Sequence, residues 1–179
     1  MKKGPSILTS ARGFTLVEVI VAIFVVTVGI GGVFAFLQGT LFSGFTLENQ
    51  LIAPYLAQEG AEIVRNIRDT NYVRISEGLG GSWTNGGLAD CASGCEADYD
   101  DLSLVPIATS PQFLEIVTDA AGTRYQYGGG GAPTAFQRKI TIDPSVAGKL
   151  DVKVEVLWEE KGNSKSFVID TELYNWAGL

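Results

Sequence analysis

The chain has no histidine. That absence removes the commonest general base and the commonest metal ligand. No Ser-His-Asp set can form, and the sequence holds no P-loop, dinucleotide fingerprint or H-E-x-x-H. The chain therefore reads as a non-enzyme, with no cofactor and no metal expected. Basic residues are also scarce, with 13 Lys and Arg against 20 Asp and Glu in 179 residues, a net charge of −7. Lys2, Lys3 and Arg12 all stand in the first 13 residues, so the remainder carries 10 basic and 20 acidic side chains. Such a body is poorly suited to non-specific nucleic-acid binding, which depends on phosphate neutralisation. Cysteine is limited to Cys91 and Cys95 in one loop, Cys91-Ala92-Ser93-Gly94-Cys95. Three readings stand: a small-loop disulfide, which suits an exported compartment, free thiols, or a metal site. The metal reading is weakest, because two Cys without His fall short of a four-ligand zinc set. Asp90, Glu96, Asp98, Asp100 and Asp101 lie nearby, but their spacing is not that of an EF-hand. A solvated acidic loop is the expectation there.

Charge is missing almost completely from residues 14–37, where Glu18 is the only charged residue in 24. At about 1.5 Å per residue, such a helix reaches roughly 36 Å. That crosses a hydrocarbon core of about 30 Å with some tilt. An acid at the centre of a span costs about 2.5–3.5 kcal/mol on insertion scales, so it usually has a partner and a role. A lone acid at a helix N-terminus, favoured by the macrodipole, is the simpler reading. The order of segments is wrong for a secretory signal, in which the apolar region precedes the cleavage site. Here a short basic stretch ends at Gly13 and the apolar run follows. Positive charge before the span and Glu48 as the first charge after it predict a cytoplasmic N-terminus and an exported C-terminal part.

Gly13-Phe14-Thr15-Leu16-Val17-Glu18 resembles the class III signal of type IV prepilins and type II secretion pseudopilins. The likeness lies in a basic leader ending in Gly, an aromatic first mature residue and Glu as the fifth. It implies cutting of the Gly13–Phe14 bond by a membrane-embedded prepilin peptidase, and N-methylation of Phe14. It also implies partners: other pilin or pseudopilin subunits packed through the N-terminal helix, an assembly ATPase, a platform protein, and inner-membrane lipid before assembly. The implied location is the bacterial cytoplasmic membrane, then a surface pilus or pseudopilus. Cleavage frees an amine of pKa about 7.7–8.0, largely cationic at neutral pH. At 4 Å and an effective dielectric near 20, it attracts Glu18 by about 4 kcal/mol, comparable to the cost of burying the acid. In the family that pair joins a new subunit to the one ahead of it and sets register.

Helical spacing continues beyond the span through Phe45, Ile52, Tyr55, Leu56, Ile63, Val64 and Ile67. Glu48, Gln58, Glu59, Glu62, Arg65 and Arg68 fall between them and read as a solvated face. One helix over about 14–68 is predicted. Gly29, Gly31 and Gly32 mark its weakest stretch, each costing roughly 1 kcal/mol relative to Ala. Pro54 removes a helical hydrogen bond and predicts a kink. Family pilins carry a Pro near this depth, and many carry another near Ala35, which this chain lacks. The glycines supply flexibility there, or allow close helix packing in lipid.

Residues 69–101 read as a Gly-rich loop, in which Trp83 is a candidate contact. Strands are predicted at 112–118 and 123–127 around Asp119-Ala120-Ala121-Gly122, at 135–142, at 150–159 and at 165–176. Leu150, Val152, Val154, Val156 and Trp158 share one face of the fourth. The expected fold is α+β: a long N-terminal helix, membrane-spanning then amphipathic, packed on a C-terminal antiparallel sheet in a pilin-like ladle. The predicted divisions are a leader at 1–13, a span at 14–37, an amphipathic helix at 38–68 and an exported head at 69–179. Phe136-x-Arg138-x-Ile140 and the closing strand pair resemble minor, PilV-like members. Two functional readings follow: a structural pilus or pseudopilus subunit, or a membrane- or tip-held module that binds a surface, a cell or DNA.

Overall fold

The computed structural model describes residues 13–120 and 122–178, with the side chains of 39–46 excepted. Residues 1–12 of the expected leader, the Phe45 side chain and Ala121 of the expected turn lie outside the described residues. The chain divides into two compact units, Met1–Phe45 and Thr46–Leu179. One helix, α1 (Leu16–Ser76), runs through that division.

In the first unit the described residues are a short non-helical entry at 13–15 and then helix. Leu16–Gln38 has a mean hydropathy of 2.7 and none of it is buried within the protein. It is long and apolar enough to cross a membrane. Gly29, Gly31 and Gly32 are helical, with open space where a Cβ would stand.

The second unit packs the remainder of α1 on one antiparallel sheet. Its strands are β1 (Cys95–Glu96), β2 (Val105–Pro106), β3 (Phe113–Asp119), β4 (Gly122–Gln126), β5 (Ala132–Asp143), β6 (Lys149–Glu160) and β7 (Asn163–Tyr174). β5 is central: it pairs β6 along one side and both β3 and β1 along the other. β6 pairs β7, and β4 and β2 hang on β3 and β1. The alternation expected of the fourth strand is present, because Leu150, Val152, Val154, Val156 and Trp158 are all buried. The β6–β7 turn is tighter than expected and β7 begins at Asn163. Lys161 and Gly162 both take positive φ, +53° and +73°, between the paired residues Glu160 and Asn163. Two such residues make the type I′ connection that matches strand twist.

Three sequence expectations are corrected. First, α1 does not end near 68, so the segment from 69 begins as helix and not as loop. Asn71 and Tyr72 are buried, and their side chains hydrogen-bond the chain beyond the helix, which outweighs their modest helix propensity. The helix ends where Gly78 takes φ +76°: Leu79 N–H donates to Arg74 O and Gly78 N–H to Ile75 O, a Schellman closure. Second, Tyr55 does not join the buried stripe and is 73% exposed. The packed face is Ala53, Leu56, Ala57, Gly60, Ala61, Val64 and Ile67, whose small members gave little hydrophobic signal. Third, Trp83 is buried and stacks on Tyr72 with the rings 5° from parallel, so it belongs to the core and not to a contact surface.

Candidate functional site

The N-terminal motif is built from a few residues. Gly13, Phe14 and Thr15 precede the helix and are exposed, Phe14 at 81%. Thr15 caps α1: Glu18 N–H donates to Thr15 Oγ1 at 3.2 Å, and Val19 N–H to Thr15 O at 3.2 Å. Thr15 and Glu18 stand at N-cap and N3, the positions of a capping box. An acid in the first turn also faces the positive end of the helix dipole. The helix start is therefore fixed by local chemistry one residue after the Gly13–Phe14 bond, which stays in non-helical, accessible chain. Nothing lies within 4 Å of a Cβ placed on Gly13. Further along the span, Thr27 Oγ1 donates back to Ile23 O, satisfying its hydroxyl within the helix.

Among the described residues Glu18 carries no ion pair. The structure places Gly13, Phe14 and Glu18 together at one helix end. It separates them along the chain from Gly29, Gly31 and Gly32, which are helical, and from Pro54, inside the second unit.

In the second unit the polar centre is Arg138, a residue whose role the alternating pattern of β5 concealed. It points inward between Phe136 and Ile140 and has no exposed surface. Its Nη1 donates to Glu59 Oε2 at 3.1 Å and to Leu56 O at 3.3 Å, and its Nη2 to Ala97 O at 2.7 Å. Nε is buried without a partner. One guanidinium thus ties α1, the chain after β1 and β5 together. Glu59, expected on a solvated face, is the helix's contribution; Glu62 and Arg65, from the same expected face, pair with each other at the surface. Gly60 makes this approach possible. A Cβ there would meet Val154 Cγ1 at 2.8 Å and Arg138 Cδ at 3.1 Å. The sequence signal was a charge at an inward position of a strand, Phe136-x-Arg138-x-Ile140.

Tyr127 O–H donates to Arg138 O at 3.1 Å. Burial pushes its hydroxyl up to about 12, against a smaller opposing pull from Arg138. The expected solvated acidic loop is partly wrong. Glu96 is buried and accepts from Gln112 N–H. Asp98 accepts from Tyr127 N–H at 2.8 Å, and burial raises its carboxyl above the usual range. Among the described residues, no group of three or more acids or cysteines is arranged to hold a metal ion.

Cys91 and Cys95 are joined by a disulfide, and both are buried. Ile142 N–H donates to Cys91 O at 3.1 Å and Cys95 pairs Ile140, so this small loop docks on the edge of β5. It anchors the irregular chain between α1 and β3.

No curated protein and no solved structure matches the chain. Residues 8–34 match the family model of the prokaryotic N-terminal methylation motif. The family that bears this motif is structural, not catalytic, and an α+β fold with an apolar N-terminal helix is pilin-like. The match is confined to residues 8–34 and shows that the chain carries this N-terminal methylation motif, the motif of a prepilin-type signal.

Proposed function

We propose that the chain is a structural, minor subunit of a type IV pilus or type II secretion pseudopilus, cut between Gly13 and Phe14 by prepilin peptidase and methylated on Phe14. The observation that carries this reading is the site's geometry. An accessible, non-helical Gly13–Phe14 bond immediately precedes a Thr15-capped helix whose Leu16–Gln38 stretch is wholly exposed and apolar. The bond is open to a peptidase, and a helix that is apolar all round needs lipid or other helices around it.

In this reading the uncut chain sits in the cytoplasmic membrane with its N-terminus in the cytoplasm. Cutting frees the Phe14 amine. Its attraction to Glu18 of the subunit ahead sets the register in which successive helices pack. An assembly ATPase and a platform protein drive the transfer from lipid to filament. The expected divisions, a leader at 1–13, a filament-core segment at 14–37, and an amphipathic segment leading into an exported domain, describe its parts. Gly29, Gly31, Gly32 and Pro54 supply the compliance a helix needs to change surroundings.

The test is Gly13→Val expressed in a host with an active prepilin peptidase. Among the described residues nothing stands within 4 Å of a Cβ at Gly13, so the substitution meets none of them. The expected result is loss of the mobility shift that follows cutting. An unchanged shift contradicts the assigned bond. Glu18→Ala should still be cut but should fail to enter sheared surface filaments, and normal incorporation would overturn the proposed pairing.

A further inference from the structure

Of the five described arginines, four hold an acid: Arg65 with Glu62, Arg68 with Asp69, Arg124 with Asp119 and Arg138 with Glu59. Arg74 is the exception among the described residues, in a chain with 20 acidic side chains. It stands in the last turn of α1, beside a cavity of about 230 Å³ lined by Thr70, Asn71, Arg74, Asn85, Gly86 and Leu102. The walls are fixed from within. Asn71 is buried and gives both Nδ2 hydrogens away, to Trp83 O at 3.2 Å and Asn85 O at 2.9 Å. That leaves Oδ1 as the polar atom this side chain has to offer. Gly86, at φ +75°, lets the two loops close: its O accepts from Leu104 N–H at 2.8 Å, and a Cβ there would meet Leu102 O at 2.7 Å. The lining thus offers a guanidinium, an amide oxygen, a second amide, a hydroxyl and a single apolar side chain.

We propose that this cavity binds one carboxylate-bearing sugar unit, a uronic acid residue of a surface polysaccharide. A guanidinium grips a carboxylate with two parallel hydrogen bonds. Thr70, Asn71 and Asn85 supply the mixed donors and acceptors that sugar hydroxyls require. The volume lies below the roughly 300–1,000 Å³ of sites for drug-sized ligands, so it takes a single unit and not a run of them. A peptide C-terminus would present the same carboxylate, but it brings an apolar side chain to a lining in which only Leu102 is apolar. The proposal stands apart from the assembly reading, since it concerns the sheet-bearing unit alone.

The experiment is calorimetric titration of the full chain in detergent with glucuronate, with acetate, glucose and a short neutral peptide as competitors. Saturable glucuronate binding is expected, with glucose and acetate each at least tenfold weaker. Arg74→Gln should weaken glucuronate at least tenfold, and Arg74→Lys by less. Asn85→Ala should weaken glucuronate and leave acetate unchanged. Thermal melts of each variant verify the fold. No saturable binding, equal binding by Arg74→Gln with an unchanged melt, or acetate as tight as glucuronate would each overturn the proposal. So would a peptide carboxylate that outcompetes glucuronate.

Discussion

Arg138 shows how much one residue can organise. Its guanidinium is fully buried and linked to α1 through Glu59 and Leu56, and to the chain after β1 through Ala97. Truncating it leaves the buried carbonyls of Leu56 and Ala97 without their donor and opens a cavity under the helix, at a cost of about 3–5 kcal/mol. Arg138→Ala should therefore lower the unfolding free energy of the full chain by about that amount, measured by denaturant titration in detergent. Loss of under 1 kcal/mol would show that the tie is idle. Tyr127 gives a pH-dependent counterpart. Its folded-state value is about 12, against 10 for an ordinary tyrosine. The folded state holds the proton more tightly, so this group's stabilisation is complete below pH 10 and is lost as pH rises through 12. The loss amounts to about 2–3 kcal/mol at alkaline pH. Tyr127→Phe should remove that slope between pH 10 and 12 in pH-dependent melts, while Tyr55→Phe, on an exposed side chain, should leave it.

At the level of elements, the helix and sheet meet because the helix presents small residues to the sheet. Ala53, Ala57, Gly60 and Ala61 let the backbone of α1 approach Val154 and Arg138. Gly60→Ala adds a methyl where 2.8 Å separates it from Val154 Cγ1, an overpacking worth about 1–3 kcal/mol in thermal denaturation. The disulfide acts on a different element, the irregular chain after α1. A loop as short as Cys91–Cys95 contributes about 2 kcal/mol in the chain-entropy picture. Reduction, or the double change Cys91→Ser and Cys95→Ser, should lower stability by about that amount while leaving β6 and β7 protected in hydrogen exchange. These elements also show what could be read from the chain. The alternation of Leu150 to Trp158 and the helical spacing of Ile63, Val64 and Ile67 announced themselves, because apolar side chains repeat at the period of the backbone. The last turns of α1 did not. Their stability comes from Asn71 and Tyr72 reaching residues distant in sequence, and the stop signal, Gly78, was hidden among other glycines. The two-residue strands β1 and β2 carry no periodicity at all. Trp83 and Glu96 looked like surface residues because their neighbours are Gly and Asp; only the tertiary fold buries them.

For the whole molecule, the division at Phe45 and Thr46 separates two kinds of stability. The second unit has its own core, a buried arginine and a disulfide. The described residues of the first are an apolar helix with nothing buried against it. Such a helix is stable only in lipid or among other helices, so the chain is incomplete alone. The residues of the proposed N-terminal site, the Gly13–Phe14 junction and Glu18, stand out in the sequence because a single charge in an apolar run has no camouflage. The Thr15 cap was not singled out, although Thr15-x-x-Glu18 is itself a helix-start pattern. The cap fixes where the helix begins and thus leaves the adjoining bond outside it. The central claim is that this bond is cut and that the amine it releases becomes the mature terminus. Intact-mass and N-terminal tandem mass spectrometry of the chain isolated from its native membrane or filaments tests it most directly. The account predicts a chain that begins at methylated Phe14 and keeps one disulfide. A chain that begins at Met1, or one whose Phe14 carries no methyl group, would contradict it.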